Sequence, residues 1–139
     1  MGTLAFIDGR LEINSVVLSA HCTGFTLPME YEALEDTAMG DTARSRIAGL
    51  ADSTFTAQFN QDFAASALDA TIYAAYATKA PVVVKCRPTS ASIGTGNPEY
   101  VGSYLPNQHN PFGNNVGELA TSQVSWPLSD PDGIARNVS

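Results

Sequence analysis

Charge is what this sequence has least of. Only 15% of its 139 residues are charged, well below the quarter usual for a soluble domain. So little charge points to a surface partly covered by partners, although Ser, Thr, Asn and Gln are plentiful. Cations are the scarcer sign: seven Lys and Arg stand against fourteen Asp and Glu, a formal net charge of −7. That balance repels a phosphate backbone and argues against tight nucleic-acid binding. Cysteine is nearly absent. Cys22 and Cys86 cannot staple a domain of this size. They read as two buried, reduced hydrophobes, with a single Cys22–Cys86 bridge as the alternative. No long apolar run follows Met1-Gly2-Thr3-Leu4-Ala5-Phe6, and the first lysine is Lys79. This argues against a signal peptide and a membrane span, and for synthesis in the cytosol.

The groups that carry catalysis are also few. The two histidines, His21 and His109, have no ligand-spaced Cys, His or carboxylate beside them, which argues against zinc. His21 adjoins Cys22, but strand neighbours face opposite sides and make no local dyad. There is no P-loop, and Gly94-Thr95-Gly96 lacks the third glycine and the helix of a dinucleotide fingerprint. Asp130-Pro131-Asp132-Gly133 lacks the bidentate Glu of a calcium loop and reads as a plain turn. Carboxylates between Glu30 and Asp41 have few apolar neighbours to raise a pKa, so they read as a solvated or partner-facing run rather than an acid/base pair. The expectation is a protein that is not an enzyme and needs no cofactor or metal.

What is present is a mainly β pattern, of a length that suits one domain. Asp8-Gly9 between Leu4–Ile7 and Arg10–Ile13 predicts a hairpin. Val16-Val17-Leu18 and Cys22–Leu27 read as strands, with Pro28 closing the second. Ser53–Phe59 is the clearest strand: Phe55, Ala57 and Phe59 alternate with Thr54, Thr56 and Gln58. Ser66–Thr78 predicts a helix, with Ser66 and Asp69 as a capping arrangement and Leu68, Ile72, Ala75 and Tyr76 as its apolar stripe. Further strands are expected over Pro81–Arg87, Tyr100–Leu105 and Leu119–Leu128, where Trp126 reads as core. Pro88–Pro98 reads as a mobile loop, Asn107–Gly117 as a turn region and residues 129–139 as a flexible tail. About eight strands and one helix fit an antiparallel sandwich or small barrel.

One segment fits none of these. Met29 to Arg46 carries Glu30, Glu32, Glu35, Asp36 and Asp41, answered only by Arg44 and Arg46. It reads as a long extended hairpin or loop standing off the domain, too long for an idle connection.

An ordered set of motifs then appears. Asn14–His21 leads into Thr23-Gly24-Phe25-Thr26-Leu27-Pro28. Next come Glu35-Asp36-Thr37-Ala38-Met39-Gly40-Asp41-Thr42-Ala43-Arg44 and Ile47-Ala48-Gly49-Leu50. Phe59-Asn60-Gln61-Asp62-Phe63 opens the helix and Trp126-Pro127-Leu128 stands near the end. From about residue 10 to 128 this resembles the major tail tube proteins of long-tailed, siphovirus-type bacteriophages and their prophage relatives, especially of actinobacterial hosts. The family shows a "V-x-L-S" strand, a "V-x-L" strand, an acidic segment with "T-x-x-G-D-T-x-R", and a "G-L" turn into the next strand.

The resemblance implies a sandwich of antiparallel sheets with one flanking helix and a long hairpin. It implies hexameric rings stacked into a hollow tube, located in the virion tail and assembled in the bacterial cytoplasm. Tape measure, tail terminator and distal tail proteins would be its partners. DNA would pass through the lumen without specific binding, helped by the net acidity if that reaches the lumen. Glu30, Glu32, Glu35, Asp36, Asp41, Arg44 and Arg46 would lie at subunit interfaces. The Pro88–Pro98 and Asn107–Gly117 loops match nothing in that family. Two other readings stay open: a single-ring tail component, such as a terminator or tube-initiating protein, and a carbohydrate-binding sandwich.

Overall fold

A computed structural model describes residues 9–63, 68–112 and 114–138. Among them are ten strands and one helix: β1 (Arg10–Ile13), β2 (Val16–Val17), β3 (Cys22–Thr26), β4 (Glu30–Glu35), β5 (Arg46–Asp52), β6 (Thr54–Asn60), α1 (Leu68–Thr78), β7 (Val82–Arg87), β8 (Glu99–Tyr104), β9 (Thr121–Pro127) and β10 (Ala135–Asn137). All pairings are antiparallel. One sheet runs β10-β8-β7-β1-β2, a second β3-β6-β9, and β4-β5 form a ribbon of their own. The fold is the mainly β arrangement with one helix that the sequence predicts.

Period-two patterning builds the core. Phe55, Ala57 and Phe59 of β6 and Val124 and Trp126 of β9 point inward from the three-stranded sheet. Leu11 and Ile13 of β1, Val82, Val84 and Cys86 of β7 and Tyr104 of β8 do so from the five-stranded one. Leu68, Ile72 and Ala75 of α1 join the same cluster. Phe55 ties the sheets together, its ring 5.7 Å from Tyr104 and 6.0 Å from Trp126. At one corner β8 and β9 are stitched by backbone: Leu105 N–H donates to the Pro127 carbonyl at 3.0 Å and Ser129 N–H to that of Ser103 at 2.9 Å.

Several local expectations are corrected. The Asp8-Gly9 hairpin and the Ser66 cap involve residues outside those described. The tight turn that is seen lies at Asn14-Ser15, joining β1 to β2 with φ of 51° and 69°, the left-handed pair that a two-residue hairpin turn requires. Tyr76, on the predicted apolar stripe, is 42% exposed. Gly49-Leu50 is not a turn but lies inside β5. Pro88–Pro98 is a structured loop around Asn97: its side chain donates to the carbonyls of Ala91 and Ser92 at 2.8 and 3.1 Å and accepts from Thr89 N–H at 3.1 Å. The tail beyond residue 129 contains β10, whose Ala135–Asn137 pair with Val101–Glu99 of β8. It is held by backbone hydrogen bonds, which leave no apolar pattern in sequence.

Candidate assembly surface

The acidic segment folds as the β4-β5 ribbon. Glu30 pairs with Asp52, Tyr31 with Ala51, Ala33 with Ala48, Leu34 with Ile47 and Glu35 with Arg46. A bulge falls between Tyr31 and Ala33, where Gly49 backs directly onto Glu32. A Cβ at Gly49 would meet the Glu32 Cβ at 2.8 Å, so glycine is needed there for close approach. The ribbon's tip is closed locally. Ala38 N–H donates to Asp41 Oδ2 at 2.7 Å, Asp41 N–H to the Ala38 carbonyl at 3.1 Å, and Gly40 takes φ of 98°. Thr37 Oγ1 accepts from Ser45 N–H at 2.8 Å. The "G-D-T" of the sequence therefore makes a self-contained turn.

Every residue from 28 to 48 is exposed. An isolated two-stranded ribbon is marginal at best in water, yet no residue of this one from 28 to 48 is buried. Its charged residues offer little to hold it. Arg44 Nε lies 3.6 Å from Glu35 Oε1, with both side chains half-exposed or more, a geometry that contributes about 0–1 kcal/mol. Among the described residues Glu30, Glu32, Asp36 and Asp41 make no ion pair, so the predicted interface residues share the ribbon without forming a charge network there.

The sequence reading missed the apolar residues. Tyr31 is 65% exposed, Ile47 54% and Leu50 80%, joined by Met29, Leu34 and Met39. Their signal lay in the chain as Tyr-x-x-Leu and Ile-x-x-Leu within the two strands, hidden by the surrounding carboxylates. Burying a side chain such as Leu or Ile stabilises by about 1.5–3 kcal/mol. The ribbon thus has more to gain from an apolar partner than from its ion pairs.

The ribbon's root is anchored firmly. Ser53, 2% exposed, follows β5 directly. Its hydroxyl donates to the Pro28 carbonyl at 2.6 Å, just before β4, and lies 2.8 Å from the Tyr104 hydroxyl. Leu128 N–H donates to the Ser53 carbonyl at 3.0 Å. Beside the root, Phe25, Leu27, Met29, Cys86, Pro88 and Tyr100 line an open apolar groove of about 450 Å³.

The other residues singled out in sequence are dispersed. His21 Nε2 lies 3.8 Å from Asp62. His109 Nε2 lies 3.5 Å from Asp69, with its ring against Tyr73 and Tyr76 of α1. Cys22 and Cys86 are both free thiols. Burial pushes Cys86 up to about 12, with Cys22 and Glu99 adding to the shift, and burial also raises Cys22. Among the described residues no group of three or more His, Cys, Asp or Glu is placed to hold a metal, and no helix is long and apolar enough to cross a membrane.

No protein-family model matches this chain, and neither does any curated protein sequence. Solved structures do. A chain of the virion of a native gene transfer agent particle aligns with a TM-score of 0.73 over 94% of this chain and 95% of its own, at 7% identity. One from the C6-symmetric tail of an empty gene transfer agent particle aligns at 0.64 over 86% and 82%, at 8% identity. One from the sheath/tube terminator of an extracellular contractile injection system, PVC, in its extended state aligns at 0.70 over 97% and 96%, at 9% identity. This chain shares its fold with these structures along most of its length.

Proposed function

We propose that this protein is a tail tube subunit. Copies form hexameric rings that stack into a hollow tube, the conduit for DNA delivery in a virion of the siphovirus type. The carrying observation is the β4-β5 ribbon: a rooted two-stranded arm whose apolar side chains Tyr31, Leu34, Ile47 and Leu50 are uncovered. A sister copy supplies what the arm lacks, and heterologous contacts of this kind close into rings or run on as filaments. The shared fold supports a tail component, and the C6 symmetry of one similar assembly agrees with a six-membered ring. Tape measure, terminator and distal tail proteins are the partners this role calls for. No part of the role requires catalysis, so the protein works without enzymatic activity or cofactor, and the host is an actinobacterium if the motif order is followed. The arm residues Glu30, Glu32, Glu35, Asp36, Asp41, Arg44 and Arg46 flank its apolar contacts and set register.

A second reading is a single-ring tail component, favoured by the similarity to a sheath/tube terminator. Negative-stain electron microscopy of the purified protein separates the two. Long tubes of uniform diameter support the tube subunit and discrete rings the terminator. Monomer at every concentration, even with nucleating tail partners present, overturns both.

A further inference from the structure

The two sheets present very different outer faces. On the five-stranded sheet the outward positions of β1 and β7 hold paired charge, Arg10 with Glu12 at 3.2 Å and Lys85 with Glu12 at 3.7 Å, beside exposed Val17 and Val83, while Arg87 and Glu99 pair at 3.2 Å with side chains only 12% and 10% exposed. On the β3-β6-β9 sheet the outward rows are Thr56 beside Ser125, Gln58 beside Gln123 and Asn60 beside Thr121. Thr54 and Pro127 continue these rows, and β3 adds Thr23 and Thr26. No Asp, Glu, Lys or Arg stands at any outward position of these three strands, in a chain with 21 charged residues, 7 basic plus 14 acidic. None of the large exposed apolar side chains lies there either.

Resting on the tube reading, we infer that this uncharged hydroxyl- and amide-bearing face is the wall that looks into the lumen and faces a nucleic acid in transit. A buried protein interface would call for aromatic, Met or Arg anchors at its centre, and this face has none. An outer solvent face is served by mixed charge, which the Arg10, Glu12 and Lys85 positions of the other sheet carry. A wall past which a polyanion slides has a different requirement. Each Lys or Arg would take a phosphate and release counterions, holding the strand in place. A dense row of carboxylates would oppose entry. Thr, Ser, Gln and Asn keep a bound water layer with neither effect. On this reading the net acidity stays off the lumen, much of it lying on the arm at Glu30, Glu32, Glu35, Asp36 and Asp41.

Cysteine accessibility tests the assignment. Gln123→Cys is made in a Cys22→Ser background, where buried Cys86 is the remaining native thiol, and Gln58→Cys serves as a second, independent position. Free subunit and assembled tubes are treated with N-ethylmaleimide and with a maleimide carrying a bulky polyethylene glycol chain. The expected result is labelling of free subunit by both reagents and of tubes by the small one alone. Tubes labelled by both place the face outside, and tubes labelled by neither place it in a subunit contact; either outcome overturns the inference while leaving the tube reading intact. Failure of the Cys22→Ser parent to form tubes under any nucleating condition overturns the tube reading itself, and the inference with it.

Discussion

The hydroxyls of Ser53 and Tyr104 lie 2.8 Å apart in the core, and the Ser53 hydroxyl donates a hydrogen bond to the Pro28 carbonyl at 2.6 Å. This relay binds both ends of the β4-β5 ribbon, Pro28 before it and Ser53 after it, to a fully buried side chain. An arm that is exposed along its length is thereby rigid at its base. Rigidity matters for docking, because less freedom is lost when a pre-aimed arm meets its partner.

Ser53→Ala removes the middle of this relay. It leaves the Tyr104 hydroxyl and the Pro28 carbonyl short of a partner, at a cost of about 1–3 kcal/mol. Thermal denaturation should show Tm lowered by several degrees. Adding Tyr104→Phe should recover part of the loss, since an unpaired buried hydroxyl is then no longer present.

Ile47→Asp acts on the other end of the problem. Ile47 sits opposite Leu34 and is 54% exposed. A surface substitution of this kind changes stability by about 0.5 kcal/mol or less. The isolated variant should therefore melt with the parent while its assembly, followed by light scattering, is lost. A drop in Tm that matches the loss of assembly would mean that Ile47 serves the fold instead.

Asp41→Ala opens the tip turn by removing the acceptor for Ala38 N–H. The tip is exposed and remote from the core, so the subunit should keep its Tm. Tube formation should slow markedly, because the arm's end no longer holds its shape. Arg44→Ala should have a smaller effect, as its ion pair with Glu35 is long and solvent-screened.

Alkaline pH gives a test of the core. Burial holds the Cys86 thiol protonated up to about 12 against an ordinary value of 9.0, and burial also raises Tyr104 above its ordinary 10.0. Between these limits the folded chain binds more protons than the unfolded one, so stability falls as pH rises. Tm should be flat with respect to these groups below about pH 9 and decline from there toward about 12. Cys86→Ala should make that decline shallower, whatever it does to Tm at neutral pH.

Much of the fold was legible because it is local. Phe55, Ala57 and Phe59 announce β6 by alternation, Trp126 declares itself core by the same rule, and Leu68, Ile72 and Ala75 mark the helix. The hidden parts depend on partners far along the chain. Ala135–Asn137 pair with β8 through the backbone ladder, with Arg136 Nε donating to the Tyr100 hydroxyl at 3.1 Å, and Asn97 organises its loop through one side-chain amide. The turn at Gly49-Leu50 is what the family resemblance implies; the structure keeps Gly49 inside β5, where its reason is the Glu32 side chain across the ribbon. The acidic arm was legible as an outlying hairpin, but the carboxylates drew the eye from Tyr31, Leu34, Ile47 and Leu50. Which residues a fold leaves uncovered follows from packing, not from composition.

The arm's dependence on a sister copy is tested most directly by hydrogen–deuterium exchange of residues 30–52 in the free subunit and in assembled tubes. Slow exchange of these backbone amides in tubes, and fast exchange in the free subunit, is the predicted result. Equally fast exchange in both states would show that the ribbon docks on nothing, and would contradict an assembly built on it.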